Sequence, residues 1–315
     1  MRTRGGERAL ERLGSVRVGG VDLSNPFMTA SGTAGHDVEF DAYMPMAKLG
    51  ATVVKSLFHE PWEGNPAPRV HMSGSSMINA VGLQGPGVGE WKARSLPRIG
   101  AAGVTCVASI WGRTVEEYRL AARQLSGAMG IAAVEVNLSC PNLEGRSGII
   151  AHDAALSSQV VAAVVAEVGV PVWAKLSANT DRLVDIAGAV SSSGAAALTL
   201  VNTMLAMVVD VASARPVLGN GGGGLSGPAI HPIAVRAVHD VRVALPAVDI
   251  IGVGGVASGA DAIEMMVAGA GAVQVGTASF ADPAATWKIA REAARLAESR
   301  GATSWADVVG SMHRQ

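Results

Sequence analysis

Cysteine, charged residues and aromatic side chains are all scarce in this sequence of 315 residues. Two cysteines, Cys106 and Cys140, are too few for a disulfide framework or for an iron–sulfur cluster held by four thiolates. The formal net charge is −1, so no excess of basic residues exists to neutralise the phosphates of a nucleic acid. The seven histidines show none of the spacings typical of a zinc site, such as H-E-x-x-H. We therefore expect neither a nucleic-acid partner nor a bound metal.

Long apolar runs are missing as well. A membrane helix needs about 20 consecutive apolar residues, and the richest stretch, residues 160–172, is interrupted by Glu167, Gly169 and Pro171. Residues 1–15 are basic but contain no apolar segment of the kind found in secretory signals. We expect these residues to form a flexible N-terminal segment of a cytoplasmic protein that does not contact a membrane.

Hydrophobic residues, by contrast, make up 49% of the chain and occur in a repeated pattern. Eight short, nearly all-apolar runs each lead to a polar or glycine-rich turn, and helical patterns lie between them. Runs that are apolar on both faces are typical of parallel strands. The eight strand candidates are residues 26–30, 52–54, 104–108, 131–136, 169–172, 195–201, 248–253 and 271–275.

Eight strand–helix units in one chain predict a closed (β/α)₈ TIM barrel, here as a single domain over residues 1–315. A doubly wound open sheet is the alternative fold. Two connections, residues 56–102 and 203–228, are unusually long. Long loops in compact domains are usually functional, and both leave the C-terminal ends of their strands, where barrel active sites lie.

Polar side chains follow the predicted strands at this same face. Lys55 and Lys175 each end an apolar run, so each ammonium should be partly buried and needs a carboxylate or an electron-rich ligand as its partner. Glycines follow the last two strands, where backbone N–H groups of barrels often bind a phosphate. One phosphate site without an adenylate site favours FMN over FAD or NAD. The other polar residues at strand ends are Ser31, Ser109, Asn137, Asn202 and Thr277.

The segment NLSCPN, residues 137–142, is the sharpest local signal. Cys140 follows a strand, precedes a Pro-Asn turn and is flanked by two amide side chains, a placement suited to proton transfer or nucleophilic catalysis. The alternative for a cysteine is a small buried thiol. That interpretation fits Cys106, which lies inside the third strand.

Several longer motifs, in order along residues 16–310, resemble those of dihydroorotate dehydrogenases. The matching segments are GNPAPRV (64–70), INAVGLQGPGV (78–88), NLSCPN (137–142), KLSANTD (175–181), LVNTM (200–204), GGLSGPAI (223–230), GVGGV (252–256) and QVGTASF (274–280). The resemblance implies FMN-dependent oxidation of (S)-dihydroorotate to orotate in pyrimidine (UMP) biosynthesis. Cys140 would be the base that takes the proton from C5 while hydride passes from C6 to flavin N5.

The resemblance also implies which residues bind each ligand. Dihydroorotate or orotate would contact Lys55, Asn79, Ala80, Val81, Gly82, Leu83, Asn137, Asn142, Asn202 and Thr203. FMN would contact Ser31, Lys55, Ser56, Ser109, Asn137, Lys175, Val201, Gly227, Gly254, Gly255, Gly276 and Thr277.

With a cysteine at the position of the base, the chain resembles class 1 of the family. The quinone-linked membrane class carries serine there and has an N-terminal membrane extension. Within class 1, GLQGPGV and GGLSGPAI most resemble the NAD-linked class 1B catalytic subunit. That resemblance implies a second subunit carrying FAD and an iron–sulfur cluster, in a heterotetramer, with a homodimer as the other possible assembly.

Four positions depart from the family's pattern. Ser109 and Gly85 stand where asparagine is usual, Gly222 where threonine is usual, and His231 where lysine is usual. They leave open a related flavoenzyme that acts on another pyrimidine or cyclic amide. A barrel that has lost its cofactor and serves as a binding subunit is a third hypothesis.

Overall fold

In a computed structural model, residues 2–139 and 150–314 are described, and strands alternate with helices along most of the chain. The strands are β1 (Val16–Val18), β2 (Val21–Leu23), β3 (Phe27–Thr29), β4 (Ala51–Val53), β5 (Val70–Ser73), β6 (Ser76–Asn79), β7 (Cys106–Ile110), β8 (Ile131–Asn137), β9 (Val172–Lys175), β10 (Ala197–Leu200), β11 (Met204–Ala206), β12 (Val209–Asp210), β13 (Arg215–Pro216), β14 (Gly223–Ser226), β15 (Ile250–Val253) and β16 (Ala272–Val275).

The α-helices among the described residues are α1 (Arg2–Leu13), α2 (Val88–Arg94), α3 (Leu96–Ala101), α4 (Val115–Leu125), α5 (Ala154–Glu167), α6 (Leu183–Ser192), α7 (His231–Ala244), α8 (Gly259–Ala268), α9 (Ala278–Ala281) and α10 (Ala285–Ser299). Short 3₁₀ turns span Met46–Lys48, Ile150–His152, Pro228–Ile230, Trp305–Asp307 and Ser311–His313. None of these helices combines the length and the apolar character that a membrane crossing requires.

Eight parallel strands close into a barrel in the order β3-β4-β7-β8-β9-β10-β15-β16, with β16 pairing back to β3. Each of them lies in or next to one of the eight apolar runs of the sequence. All their residues are buried except Ala132, which is half-buried, because helices cover the outer face and side chains fill the interior. The prediction of a (β/α)₈ barrel is confirmed, and the open sheet is excluded.

The N-terminal end of the barrel is closed by the hairpin of β1 and β2. This hairpin contributes Val18, Val21 and Leu23 to a buried apolar cluster that fills the barrel interior at its N-terminal end. The indole of Trp173 in β9 also donates a hydrogen bond of 2.9 Å to the carbonyl of Gly19 in the turn between β1 and β2. Since this end is packed with apolar side chains, polar chemistry is confined to the opposite end.

The structure corrects the expectation that residues 1–15 are flexible. Helix α1 occupies residues 2–13 and packs against α10. Ala9, Leu10 and Leu13 recur at helical spacing and are buried, while the Arg12 guanidinium contacts both carboxylate oxygens of Glu298 at 2.6 and 2.7 Å. These three apolar residues suffice for one buried helical face.

The two long connections pair with each other. Residues 56–102 supply β5 and β6, residues 203–228 supply β11 and β14, and the four strands form an antiparallel sheet in the order β5-β6-β14-β11. The central pairing aligns Asn79 of β6 with Gly224 of β14. This sheet and the C-terminal ends of the barrel strands border one cavity.

Candidate active site

The cavity has a volume of about 1030 Å³ and lies where the polar strand ends converge. Most of the residues predicted to bind substrate or cofactor line it. They are Ser31, Lys55, Ser56, Asn79, Ala80, Val81, Gly82, Leu83, Asn137, Lys175, Val201, Asn202, Thr203, Gly254, Gly255, Gly276 and Thr277. The structure therefore brings these residues together, as the strand-end argument required, while their binding roles stay predictions.

Two predicted residues are placed differently, and two others lie outside the described residues. Ser109 is fully buried behind the cavity wall, where its hydroxyl is 3.2 Å from that of Ser31 and 2.9 Å from that of Ser56. Gly227 does not line the cavity but lies directly behind Gly255. Cys140 and Asn142 lie outside the described residues. Ser109 can thus act on a ligand only through the two serines in front of it.

Among the described residues that line the cavity, the charged side chains are two lysines, Lys55 and Lys175. None of these lining residues carries a carboxylate. Lys175 is 6% exposed, and its Nζ lies 3.7 Å from Oε1 of Glu135. Lys55 forms no ion pair with any carboxylate in the described part of the chain. Burial lowers the pKa of the Lys55 ammonium below its ordinary value, and the nearby Arg69 guanidinium lowers it further. Among the residues that the structure describes, the carboxylate interpretation therefore holds for Lys175 and not for Lys55.

Glu135 belongs to a buried polar group inside the barrel that our sequence reasoning missed. Its Oε2 accepts hydrogen bonds from Nε2 of Gln274 at 2.7 Å and from Oγ1 of Thr199 at 3.1 Å. Lys175 Nζ also lies 3.5 Å from Oε1 of Gln274. Each of these residues sits within an apolar run of the sequence, so a search for polar residues inside the strands, as well as at their ends, would have found them.

A chain of amides and hydroxyls crosses the cavity wall. The Asn202 amide donates to Oδ1 of Asn137 at 3.0 Å, and the Asn137 amide donates to Oγ of Ser56 at 3.3 Å. The Ser56 hydroxyl in turn contacts those of Ser31 at 3.0 Å and Ser109 at 2.9 Å. Because these groups hold one another, the cavity presents amide donors and acceptors in fixed orientations.

The glycine-rich end of the cavity is shaped for close backbone approach. Gly255 has φ +68°, and an added Cβ would lie 2.7 Å from the Gly227 carbonyl oxygen and 2.7 Å from Cβ of His231. Gly254 has φ +134°, and its added Cβ would lie 2.7 Å from that of Ala234. Helix α7 begins here, and His231 Nδ1 contacts the Gly254 carbonyl oxygen at 2.9 Å. Glycine backbone beside the N-terminus of a 14-residue helix suits a bound phosphate.

Gly255→Ala is expected to destabilise the protein by more than about 1–2 kcal/mol, the usual cost of a left-handed conformation for an L-residue, because its methyl group must also displace backbone. Gly301→Ala is the matched control. Gly301 has φ +85°, and an added Cβ would meet nothing within 4 Å. Urea unfolding of both variants measures the difference, and equal losses would contradict the proposed steric conflict.

Some lining residues carried no prediction. Gly223, Gly224 and Ser226 of β14 and Asn65 line the cavity, and the Thr277 hydroxyl donates to Oγ of Ser226 at 2.8 Å. Their motifs, GNPAPRV and GGLSGPAI, were recognised, but no sequence pattern shows that two distant loops share one sheet.

The four departures from the family's pattern take up different places. Ser109 is behind the wall, and Gly222 lines the cavity. Gly85 does not line it, and an added Cβ there would lie 3.2 Å from His36 Nε2, a buried nitrogen that has no hydrogen-bond partner among the described residues. Burial, with the nearby Lys55 ammonium, lowers the pKa of His36 to about 4. Gly222 is thus the departure placed to contact a ligand directly.

His231, the fourth departure, lies close to Asp261 and Glu264, with three potential ligand atoms within 4.8 Å of one another. Each has a contact within the fold. Asp261 forms the capping box of α8 with Ser258, and Glu264 Oε2 lies 3.3 Å from Nε2 of His231. This cluster lies behind the glycine turn.

Comparison with known proteins shows one family. The family model described as dihydroorotate dehydrogenase matches residues 14–296. A dihydroorotate dehydrogenase B (NAD(+)) catalytic subunit from Desulforudis audaxviator (strain MP104C) is 44% identical over 300 residues, covering 95% of this chain and 97% of the relative. Relatives of the same name from Geobacter sp. (strain M21) and Geobacter metallireducens are each 41% identical over 298 residues, with 95% of this chain and 97% of each relative covered.

Proposed function

The chain belongs to the dihydroorotate dehydrogenase family, and from this premise we propose that it oxidises (S)-dihydroorotate to orotate with FMN as its bound cofactor. The observation that carries this proposal is the cavity's charge pattern. Two ammonium groups and several amides face a space in which no described carboxylate lies, an environment that favours anionic, planar ligands such as a flavin phosphate ester and a pyrimidine carboxylate.

The residues present fit FMN. The glycine turn at Gly254 and Gly255 suits its phosphate, because a side chain at either position would fill the space beside the backbone. Lys175, at the end of β9, suits the electron-rich pyrimidine part of its ring, where negative charge develops on reduction. The remaining contacts would come from Ser31, Ser56, Asn137, Val201, Gly276 and Thr277. Bound FMN would accept the two electrons and the hydrogen that leave C6 of the substrate.

The substrate would be held by charge and by amides. Lys55 has no carboxylate partner among the described residues and is half-buried, so an anionic ligand would supply the missing partner. The amides of Asn79 and Asn202, like that of Asn137, offer both donors and acceptors to the ring N–H and C=O groups of the pyrimidine. This arrangement binds and orients the ring and excludes water from its face.

The base in this proposal is Cys140, which lies outside the described residues and is assigned from the family motif. Its thiolate would take the C5 proton onto Sγ as hydrogen leaves C6. A positioned base accelerates proton abstraction by about 10²–10⁴-fold.

Anaerobic addition of dihydroorotate to the purified protein tests the proposal. We expect a yellow protein whose flavin absorbance is bleached by dihydroorotate. A protein that holds flavin but stays oxidised with this substrate would contradict the proposal. The same protein tested with fumarate, a quinone and NAD would identify the acceptor.

The relatives are named as the catalytic subunit of an NAD(+)-dependent enzyme, and we propose that electrons reach NAD through a second subunit that carries FAD and an iron–sulfur cluster. The described residues include one cysteine, the buried Cys106. Slow NAD reduction by this chain alone, restored by adding such a subunit, would support this arrangement.

A related flavoenzyme acting on another pyrimidine or cyclic amide is the second candidate, favoured by Gly222, which lines the cavity in place of the family's usual threonine. A panel of such substrates, each tested for flavin bleaching, distinguishes the two. Preferential bleaching by dihydroorotate would dismiss the second candidate.

Orotate is expected to bind more weakly as the pH rises towards the lowered pKa of Lys55, because the deprotonated amine cannot pair with a carboxylate. The stability of the ligand-free protein changes in the opposite direction and increases with pH. Burial of the ammonium destabilises the free protein at neutral pH, and this cost disappears between the lowered pKa and the ordinary value of about 10.5. Titration of orotate affinity between pH 7 and 10 measures the effect. In Lys55→Met the affinity should be low and its pH dependence lost, and an unchanged pH dependence would exclude Lys55 as the cause.

A further inference from the structure

Glu135 is a fully buried carboxylate to which the proposed reaction assigns no role. We propose that Glu135 is a positioning residue for Lys175, which it keeps protonated before the flavin is reduced, so that flavin reduction requires no proton uptake by the lysine. This inference rests on the proposed function only in that FMN is the bound ligand.

The geometry gives the two carboxylate oxygens different tasks. Oε2 of Glu135 accepts two hydrogen bonds, from Gln274 and Thr199, at 2.7 and 3.1 Å. Oε1 receives no hydrogen bond from any described residue, and the Nζ of Lys175, 3.7 Å away, is its ion-pair partner. Gln274 and Thr199 therefore fix the carboxylate in place, and its remaining oxygen points at the lysine.

Among the described neighbours of Lys175, Glu135 is the group that can stabilise its positive charge. Lys175 lies on β9, and the polar residues near it on other strands include Glu135 and Asn137 of β8, Thr199 of β10 and Gln274 of β16. Of these only Glu135 is titratable. The other charged residue on the cavity wall, within the described residues, is Lys55, which is also cationic. A buried ammonium without a counter-ion favours its neutral form, so the charge of Lys175 depends on Glu135.

This dependence affects the stoichiometry of flavin reduction. Two electrons and one proton convert FMN to its anionic reduced form, so each tenfold change in proton concentration changes the equilibrium tenfold, or about 30 mV per pH unit for a two-electron couple. If Lys175 were neutral before reduction, the negative charge on reduced FMN would draw a second proton onto its amine. The equilibrium would then change about 100-fold per pH unit, which is about 59 mV.

The test is the midpoint potential of the bound flavin between pH 7 and 9, measured against reference dyes with a chemical reductant. In the wild-type holoenzyme we expect a slope of about 30 mV per pH unit. In Glu135→Gln, whose amide retains the shape and can donate to a neutral amine, we expect the slope to steepen towards about 59 mV per pH unit. In the double variant Glu135→Gln/Lys175→Met, the slope should return to the wild-type value because no amine is left to protonate.

Each outcome decides the inference. A Glu135→Gln slope equal to that of the wild type would overturn it, because the lysine would then keep its proton without the carboxylate. A steep slope that persists in the double variant would place the second proton elsewhere, for example on Lys55, and would also overturn it.

If Glu135→Gln does not retain FMN, a wild-type slope near 59 mV per pH unit still overturns the inference. Flavin that dihydroorotate does not bleach would contradict the proposed function while leaving these measurements valid. A protein without FMN would overturn both.

Discussion

Replacing Cys140 with alanine is expected to slow the reduction of bound FMN by dihydroorotate by about 10²–10⁴-fold, while the flavin remains bound. The reason is chemical. In the proposed reaction the C5 hydrogen of the substrate leaves as a proton, and alanine offers no group to accept it. Stopped-flow measurement of flavin bleaching, with FMN content checked by its absorbance, gives the rate directly.

Cys106→Ala is the matched control for this experiment. Its thiol is buried within β7, and burial raises its pKa to about 12, so it takes no part in proton transfer near neutral pH. This variant should reduce its flavin at nearly the wild-type rate. In the wild type the rate should rise with pH up to about 8.5, the ordinary pKa of a thiol. An unchanged rate in Cys140→Ala would remove this cysteine from the role of base.

Lys175→Met is expected to lower the free energy of unfolding by about 3–5 kcal/mol, the usual effect of removing one partner of a buried ion pair. Glu135 is fully buried, so the variant leaves a carboxylate in the barrel interior with hydrogen bonds to one of its oxygens and no counter-ion for the other. Urea unfolding without added FMN measures this change apart from any loss of cofactor binding.

The double variant Glu135→Gln/Lys175→Met separates the ion pair from other effects of methionine. Two neutral side chains of similar size leave no buried charge uncompensated, so most of the lost stability should return. If the double variant were as unstable as Lys175→Met, steric misfit of the methionine would explain the loss, and the account of Glu135 as an uncompensated charge would be wrong.

The barrel could be predicted from sequence because its signal is local and repeated. Each run is nearly all apolar rather than alternating and leads to a polar or glycine-rich turn, and barrel geometry then brings those ends together. Lys55, Asn137 and Lys175 were assigned to one site by this argument, and the cavity contains all three.

What could not be predicted depends on contacts between distant parts of the chain. Glu135 is visible as a polar residue within an apolar run, but a single such residue does not reveal which way its side chain faces or what it contacts. Ser109 was expected just after its strand but lies inside β7, and only the packing of Ser31 and Ser56 shows that it lies behind the wall. Helix α1 was missed since its stability depends on α10, far along the chain.

The sheet over the cavity joins segments that are synthesised far apart. The amide of Asn79 donates to the carbonyl of Gly224, 145 residues later, at 3.3 Å. Closing so long a loop is entropically unfavourable, so such pairing follows the formation of local structure. While the ribosome is still translating the second half of the gene, β6 has one neighbour, β5, and its other edge is unpaired and prone to intermolecular pairing. Chains truncated before β14 should therefore aggregate, and only chains that include β14 can complete the sheet over the cavity.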